Sequence, residues 1–294
     1  MNRHGVFAAV IGIAVGVLIS VASPAWGAKA TAVSAGSAHT CALKANGKLR
    51  CFGSPAFDQT SPPQGPRFRS VSAAYEHTCG VRMNRKVSCW GYDGHGQASP
   101  PQGPRFRSVD AGRDHTCGVR MNRKLRCWGL DGDGQASPPT GARFRSVSAG
   151  FFHSCGVQMN RRLRCWGRDD DGQATPPKGS NFKMVSAGYY HTCAVRMNGR
   201  VRCWGLDDQT QATAPGARFK SVSAGGSHTC GVKRNDRSRC WGHDADGQAS
   251  QPQGARFRSA SAGGIHSCGV RLNRKLRCWG SSSSGQADVP PGLG

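Results

Sequence analysis

The stretch Arg143-Phe144-Arg145-Ser146-Val147-Ser148-Ala149-Gly150, followed by His153-Ser154-Cys155-Gly156-Val157-Gln158-Met159 and Arg162-Leu163-Arg164-Cys165-Trp166-Gly167, decides the fold. Each segment is short, alternates apolar with polar residues, and is bounded by Gly, Asn, Asp or Pro. That is the pattern of strands and tight turns, and no segment holds a helical period for ten residues. The block recurs along the whole chain. His-Thr/Ser-Cys stands at His39, His77, His115, His153, His191, His228 and His266, at spacings of 38, 38, 38, 38, 37 and 38 residues. Units of this length at a fixed period belong to arrays and closed rings rather than to ordinary cores. The expectation is an all-β chain, a seven-bladed β-propeller of 37–38-residue repeats with four short strands in each.

Seven such units fill residues 28–294 and leave no room for a second domain. A hydrophobic content of 37% with 41 Gly suits small sheets repeated many times, and 19% charged residues is too low for a disordered polyampholyte. The first unit begins late, at Ala32-Val33-Ser34-Ala35-Gly36, and the last stops after Gly285-Gln286-Ala287. The N-terminal strand is therefore expected to complete the C-terminal blade and close the ring, which removes exposed sheet edges. A monomer is favoured. Residues 1–27 are of another kind: a basic start at Arg3 and His4, an apolar run over 6–21, a break at Ser23-Pro24, and small residues Ala25 and Gly27. They read as a secretory signal peptide, with a mature, secreted chain from Ala28. The run is short for a retained membrane span, and no second one follows. Export places the cysteines in an oxidising compartment.

Every unit carries Cys-x9-Cys. The pairs are Cys41 with Cys51, Cys79 with Cys89, Cys117 with Cys127, Cys155 with Cys165, Cys193 with Cys203, Cys230 with Cys240 and Cys268 with Cys278, which uses all fourteen. Placing Cys117 opposite Cys127 sets Val119 opposite Leu125 on the same face, around a turn at Asn122. A slip of one residue would throw the sulfurs to opposite faces. Directly opposed cysteines lie within reach of a disulfide, and one bridge per blade is expected. The competing reading is zinc, but zinc sites usually pair cysteines two to four apart.

These residues resemble the regulator of chromosome condensation repeat family. Its pattern is Gly-x-x-His-Thr-x-Ala-Leu, a Gly turn, then Trp-Gly-x-Asn-x-x-Gly-Gln. Gly36, His39-Thr40, Ala42-Leu43 and Gly47 meet it in the first unit, and Trp128-Gly129 with Gly134-Gln135 in the third. The departures are Gly-Val for Ala-Leu in most units, Phe52 for the first Trp, Asp131 for Asn, and Asp58 and Thr210 at the Gly-Gln pair. The family's nuclear exchange factor has longer blades and an inserted wedge. No unit here exceeds 38 residues, so guanine-nucleotide exchange is a distant alternative. The short blades are similar to those of the secreted type-II β-lactamase inhibitory proteins. That resemblance implies protein binding across one rim, without naming a target.

Little suggests chemistry. Nearly every polar position recurs seven times, whereas an enzyme needs singular residues, and no nucleophile motif, phosphate loop or pair of acids at a convincing spacing is present. The seven His read as structural hydrogen-bonders. Asp169-Asp170-Asp171-Gly172 faintly resembles a calcium loop but lacks the later carboxylate, so turn formation is the better account. No cofactor or metal is expected.

Charge is uneven: 40 Lys+Arg against 16 Asp+Glu, a formal net +24. Ten carboxylates follow the Trp-Gly steps, while Arg and Lys gather at the first strand (Arg105 and Arg107, Arg143 and Arg145) and the hairpin turn (Arg123-Lys124, Arg161-Arg162). Acidic and basic turns are expected at different ends of the ring. A basic rim suits nucleic acid, an anionic glycan or an anionic membrane surface, or is simply solvated. Two residues per unit, between Ala-Gly and His, escape the repeat. Units two to five place Tyr75, Arg113, Phe151, Phe152, Tyr189 and Tyr190 there, and Tyr92 follows a Trp-Gly step. Clustered aromatics with an Arg are what protein-interface anchors look like. The alternative is that the rings pack between blades. The combined reading is a secreted, non-enzymatic, protein-binding propeller, with polyanion binding as the runner-up.

Overall fold

The computed structural model describes residues 29–294, so the expected signal peptide lies outside the described residues. The chain forms seven antiparallel sheets, each built from one unit in sequence order. In the third blade the inner, middle and outer strands are Phe106–Ala111, His115–Arg120 and Leu125–Gly129. Each blade holds three strands, not the expected four. The Asp-Gly-Gln stretch folds as a turn bonded to itself, as in Gly134 N–H to the Asp131 carbonyl at 3.0 Å, and so adds no strand.

Middle and outer strands pair in the expected register, with Cys117 opposite Cys127 and Val119 opposite Leu125. All seven expected bridges are formed within their own blades. Cys41 is joined to Cys51, Cys79 to Cys89, Cys117 to Cys127 and Cys155 to Cys165. Cys193 is joined to Cys203, Cys230 to Cys240 and Cys268 to Cys278. No cysteine is free among the described residues, which leaves no thiolate for the competing zinc reading. The inner sulfurs are more deeply placed than the outer ones. Cys41, Cys79, Cys193, Cys230 and Cys268 are fully buried, whereas Cys51, Cys89, Cys203 and Cys278 on the outer strands are half-buried and Cys240 is 8% exposed.

A blade this thin must bury apolar area against its neighbours, and the repeat supplies the pieces. Phe106 at the head of the inner strand is fully buried, with its ring 5.9 Å from Trp128 of its own outer strand. Gly118 on the middle strand makes room for that ring, since a Cβ there would stand 2.5 Å from Phe106 Cδ1. This explains the Gly-Val departure. Where the fifth blade keeps Ala194, Phe182 lies under the Arg196 guanidinium, 5.2 Å from it.

Polar groups tie blade to blade. His39 Nε2 lies 2.8 Å from Thr78 Oγ1 of the next blade, and that hydroxyl donates to the Gln59 carbonyl at 3.0 Å. Having one hydrogen, the hydroxyl must accept from the imidazole, which fixes the Nε2–H tautomer. The pattern repeats around the ring to His266 and Thr40, at 2.7 Å. The Gln carbonyl also accepts an indole N–H in six of the seven blades, as Trp90 to Gln59 at 2.9 Å; Phe52 has no N–H to offer.

Ring closure follows the same rules and, among the described residues, exchanges no strand between the ends. The N-terminal strand Ala30–Ala35 pairs within its own unit. Ala30 takes the place of the buried Phe, and its N–H reaches the Arg274 carbonyl at 3.0 Å, as Phe106 N–H reaches Arg85 at 2.8 Å. Leu293 seals the seam by packing with Ala30, Ala42, Val270 and Leu276. Asp58 and Thr210, the two departures at the Gly-Gln pair, adopt φ of 60° and 59° where other units place Gly. A β-branched residue is strained there. Thr210→Gly is expected to raise stability by about 1 kcal/mol in thermal or urea unfolding. No gain would mean that the turn is held elsewhere.

Candidate protein-binding face

Strand direction sorts the loops onto two faces. The residue after each Trp-Gly step bonds to the second of the two variable residues, as Leu130 N–H to Asp114 and Arg168 N–H to Phe152. Acidic turns and variable pairs therefore share one face. The hairpin turns lie against the heads of the inner strands, as Met121 N–H to Arg105, and occupy the opposite face. The expected separation of acidic from basic turns is what the fold produces. The first Asp of each acidic turn is occupied by the turn itself: Asp131 accepts from Ala136 N–H at 2.7 Å and from Ser137 Oγ.

The two variable residues of a unit diverge. The first points to the axis: Ser37, Tyr75, Arg113, Phe151, Tyr189 and Gly264 close one end of a narrow channel walled by the Ala-Gly ends of the inner strands. Only about 80 Å³ remains open there, room for a few waters. Arg113 is the hub, with its guanidinium carbon 4.5 Å from the Phe151 ring, 5.2 Å from Phe152 and 5.6 Å from Tyr75. Phe151 meets Tyr75 edge-on at 5.6 Å and Tyr189 at 4.5 Å. Tyr189 crosses the channel to Ser37 and Gly264, and burial pushes its phenol up to about 12. Asp114 completes the hub with an ion pair to Arg113 Nε at 3.1 Å.

The second variable residue lies on the face. Phe152 and Tyr190 stand 6.3 Å apart, and Arg168 lies over Phe152 at 5.4 Å. Tyr92 stands apart from that group, packing on Phe57 at 5.2 Å and near His95 at 6.2 Å. A cleft lined by Glu76, Tyr75, Arg113 and Asp114 joins Tyr92 to the hub. Burial, and then Asp114 nearby, raise the Glu76 carboxyl above its ordinary value. The seven singled-out residues thus share one face. All are half-buried: six pack on one another about Arg113, and Tyr92 packs on Phe57 and His95.

The sequence reading missed three contributors. Phe57 is 41% exposed and extends the apolar surface. Arg168 occupies the same post-Trp-Gly position as Tyr92, which was the available signal. Asp110 replaces the inner-strand Ser of every other blade. Those serines each accept the next blade's Ala N–H, as Ser72 from Ala111 at 3.0 Å. Asp110 accepts Ala149 N–H at 2.9 Å and adds Ser72 and Ser148 hydroxyls at 3.0 Å each. Burial nevertheless raises its carboxyl to about 6, against the lowering effect of those donors. Among the described residues, no group of three or more His, Cys, Asp or Glu is placed to hold a metal ion.

A family model for the regulator of chromosome condensation (RCC1) repeat matches residues 30–59, 106–135, 144–173, 183–211, 219–248 and 257–286. No match was found among curated proteins. Two plant receptor-kinase ectodomains are similar in structure. The CRINKLY WD40 ectodomain of Arabidopsis thaliana ACR4 is 26% identical with a TM-score of 0.72, covering 86% of this chain and 97% of that one. The Physcomitrella patens CR4 ectodomain is 28% identical with a TM-score of 0.75, covering 86% and 74%. Prp20p of Saccharomyces cerevisiae, 15% identical with a TM-score of 0.73 over 87% and 84% of the two chains, shares the fold. With six of its seven disulfide-closed blades matched by that model, the chain belongs to the RCC1 repeat family.

Proposed function

We propose that this chain is an exported, non-enzymatic propeller that binds a protein partner through the face bearing Arg113 and its aromatic neighbours. The observation that carries the reading is local: the residues that break the seven-fold repeat gather on one face, over four consecutive blades. The recurring polar groups, by contrast, are spent on holding blades together. Phe152, Tyr190, Tyr92 and Phe57 supply apolar contact area, and the surrounding turns carry Asp131, Asp133, Asp169 and Asp170. That layout fits a partner with an apolar centre and a basic border. Two of the similar structures are receptor ectodomains, which fits export, as do seven disulfides.

Phe152→Ala or Tyr190→Ala should weaken partner binding by about tenfold or more, as truncated interface anchors do, with an unchanged thermal midpoint. Ser227→Ala, at the matching position of the sixth blade, should leave binding intact. Phe151→Ala and Tyr189→Ala should lower the midpoint as well, because they empty the channel mouth. Calorimetric titration with a partner captured from the producing cells reads these effects. Unchanged affinity in Phe152→Ala and Tyr190→Ala together would move the site elsewhere.

A further inference from the structure

The opposite face carries a second anomaly. Among the described residues seven large apolar side chains are exposed, and five of them occupy one equivalent position, the first residue of the hairpin turn. They are Met83, Met121, Met159, Met197 and Leu272, between 38% and 56% exposed. Each tip is fixed by its backbone, as Met159 N–H to the Arg143 carbonyl at 3.0 Å, and Arg145 Nε clamps the Met159 carbonyl at 3.2 Å. Equivalent turns of equivalent blades lie on the same face, so the apolar tips form an arc over the second to fifth blades and recur on the seventh, while Ala45 and Arg234 hold the position in the first and sixth.

Basic residues flank the tips, at the strand heads such as Arg67, Arg105 and Arg143 that bond to the turns, and within the turns themselves. Among the described residues Asp236 is the one carboxylate placed on these hairpin turns, and it is paired with Lys220. Backbone strain gives an independent sign. The third turn residue is left-handed in every blade. The first and fifth blades use Gly47 and Gly199 there, whereas Arg85, Arg123, Arg161 and Arg274 hold φ of 71°, 71°, 64° and 67°. Glycine would adopt that conformation freely, so four arginines are kept against local preference.

We infer that this face docks on an anionic phospholipid bilayer, with the Met and Leu tips entering the headgroup boundary and the Arg and Lys residues pairing with lipid phosphates. An arc of apolar tips on one face, set among cations, matches a planar interface, where apolar burial and attraction to anionic lipid add. Nucleic acid would use the cations but takes apolar side chains only as single wedges between base steps, which five tips on separate blade turns do not match. The inference concerns the face opposite the proposed protein site and does not depend on it.

Vesicle flotation tests it with the oxidised protein. Parent and variants are compared with the same N-terminus, because the apolar run over 6–21 could itself insert; binding to phosphatidylcholine alone measures that contribution. At ~150 mM salt, vesicles that also contain phosphatidylglycerol should bind the parent about tenfold more tightly than phosphatidylcholine alone. The triple variant M121S/M159S/M197S should lose most of that gain. R123G/R161G should lose it too while keeping or raising the thermal midpoint, which separates lost binding from lost fold. Equal binding to both vesicles would overturn the inference. So would a methionine variant that binds like the parent. If duplex DNA binds more tightly than the anionic vesicles and ignores the methionine changes, the face reads phosphate charge on nucleic acid, and the bilayer assignment fails.

Discussion

Reducing the disulfides is expected to unfold the protein under conditions where the oxidised chain is native. Each bridge closes a short loop, spanning ten positions from cysteine to cysteine. A loop of that size constrains the unfolded chain by about 2–3 kcal/mol. The seven loops follow one another without nesting, so their effects on the unfolded chain add to about 15–20 kcal/mol. That exceeds the typical net stability of a domain, about 5–15 kcal/mol. Circular dichroism with and without a thiol reductant reads the outcome. A reduced chain that keeps native sheet signal and a cooperative melt would show that inter-blade packing alone suffices.

Acid should be nearly as damaging. All seven repeat histidines are fully buried. Burial, aided in several by the charge of neighbouring histidines, lowers them to about 3 in His39, His115, His153 and His228, and to about 4 in His77, His191 and His266. Geometry gives the cause. Nε2–H is committed to the next blade's hydroxyl, and each Nδ1 is buried without a hydrogen-bond partner, so an added proton finds no good acceptor; at His77 alone the Arg113 backbone offsets part of the burial. An unfolded histidine takes up its proton near pH 6.5, whereas the folded one resists until pH 3–4. Stability is therefore complete above pH 6.5 and falls as pH drops through the window from 6.5 to about 4. Near pH 5 the seven together cost on the order of 10 kcal/mol. Asp110 works the other way, since its raised carboxyl binds a proton more readily when folded, but it is one group against seven. Tryptophan fluorescence against pH should show a steep transition above pH 4. A native protein at pH 3 would contradict the neutral-histidine account.

Much of this architecture is legible because the repeat states each local choice seven times. Cys-x9-Cys sets the hairpin register, and the segregation of Asp from Arg along each unit becomes the two-faced ring. What escaped depends on the ring itself. Asp169-Asp170-Asp171-Gly172-Gln173 satisfies its own backbone and turns instead of forming a fourth strand. Ala30 can stand in for the buried Phe only because Leu293 covers the seam. Adjacent residues such as Phe151 and Phe152 look equivalent along the chain, yet one fills the channel and the other lies on the face, a difference set by blades far apart in sequence. Asp110 was visible as a broken Ser, but its meaning needed the neighbouring Ser72 and Ser148.

The central claim is that the broken symmetry around Arg113 marks where a protein partner sits. Site-specific photo-crosslinking tests it most directly, with a photoreactive residue placed at position 152, 190, 227 or 265 and the protein exposed to the cells and medium that produce it. The account predicts one discrete protein adduct from positions 152 and 190, and none from the matching positions 227 and 265 in the sixth and seventh blades. Equal crosslinking from all four positions, or adducts confined to 227 and 265, would contradict it.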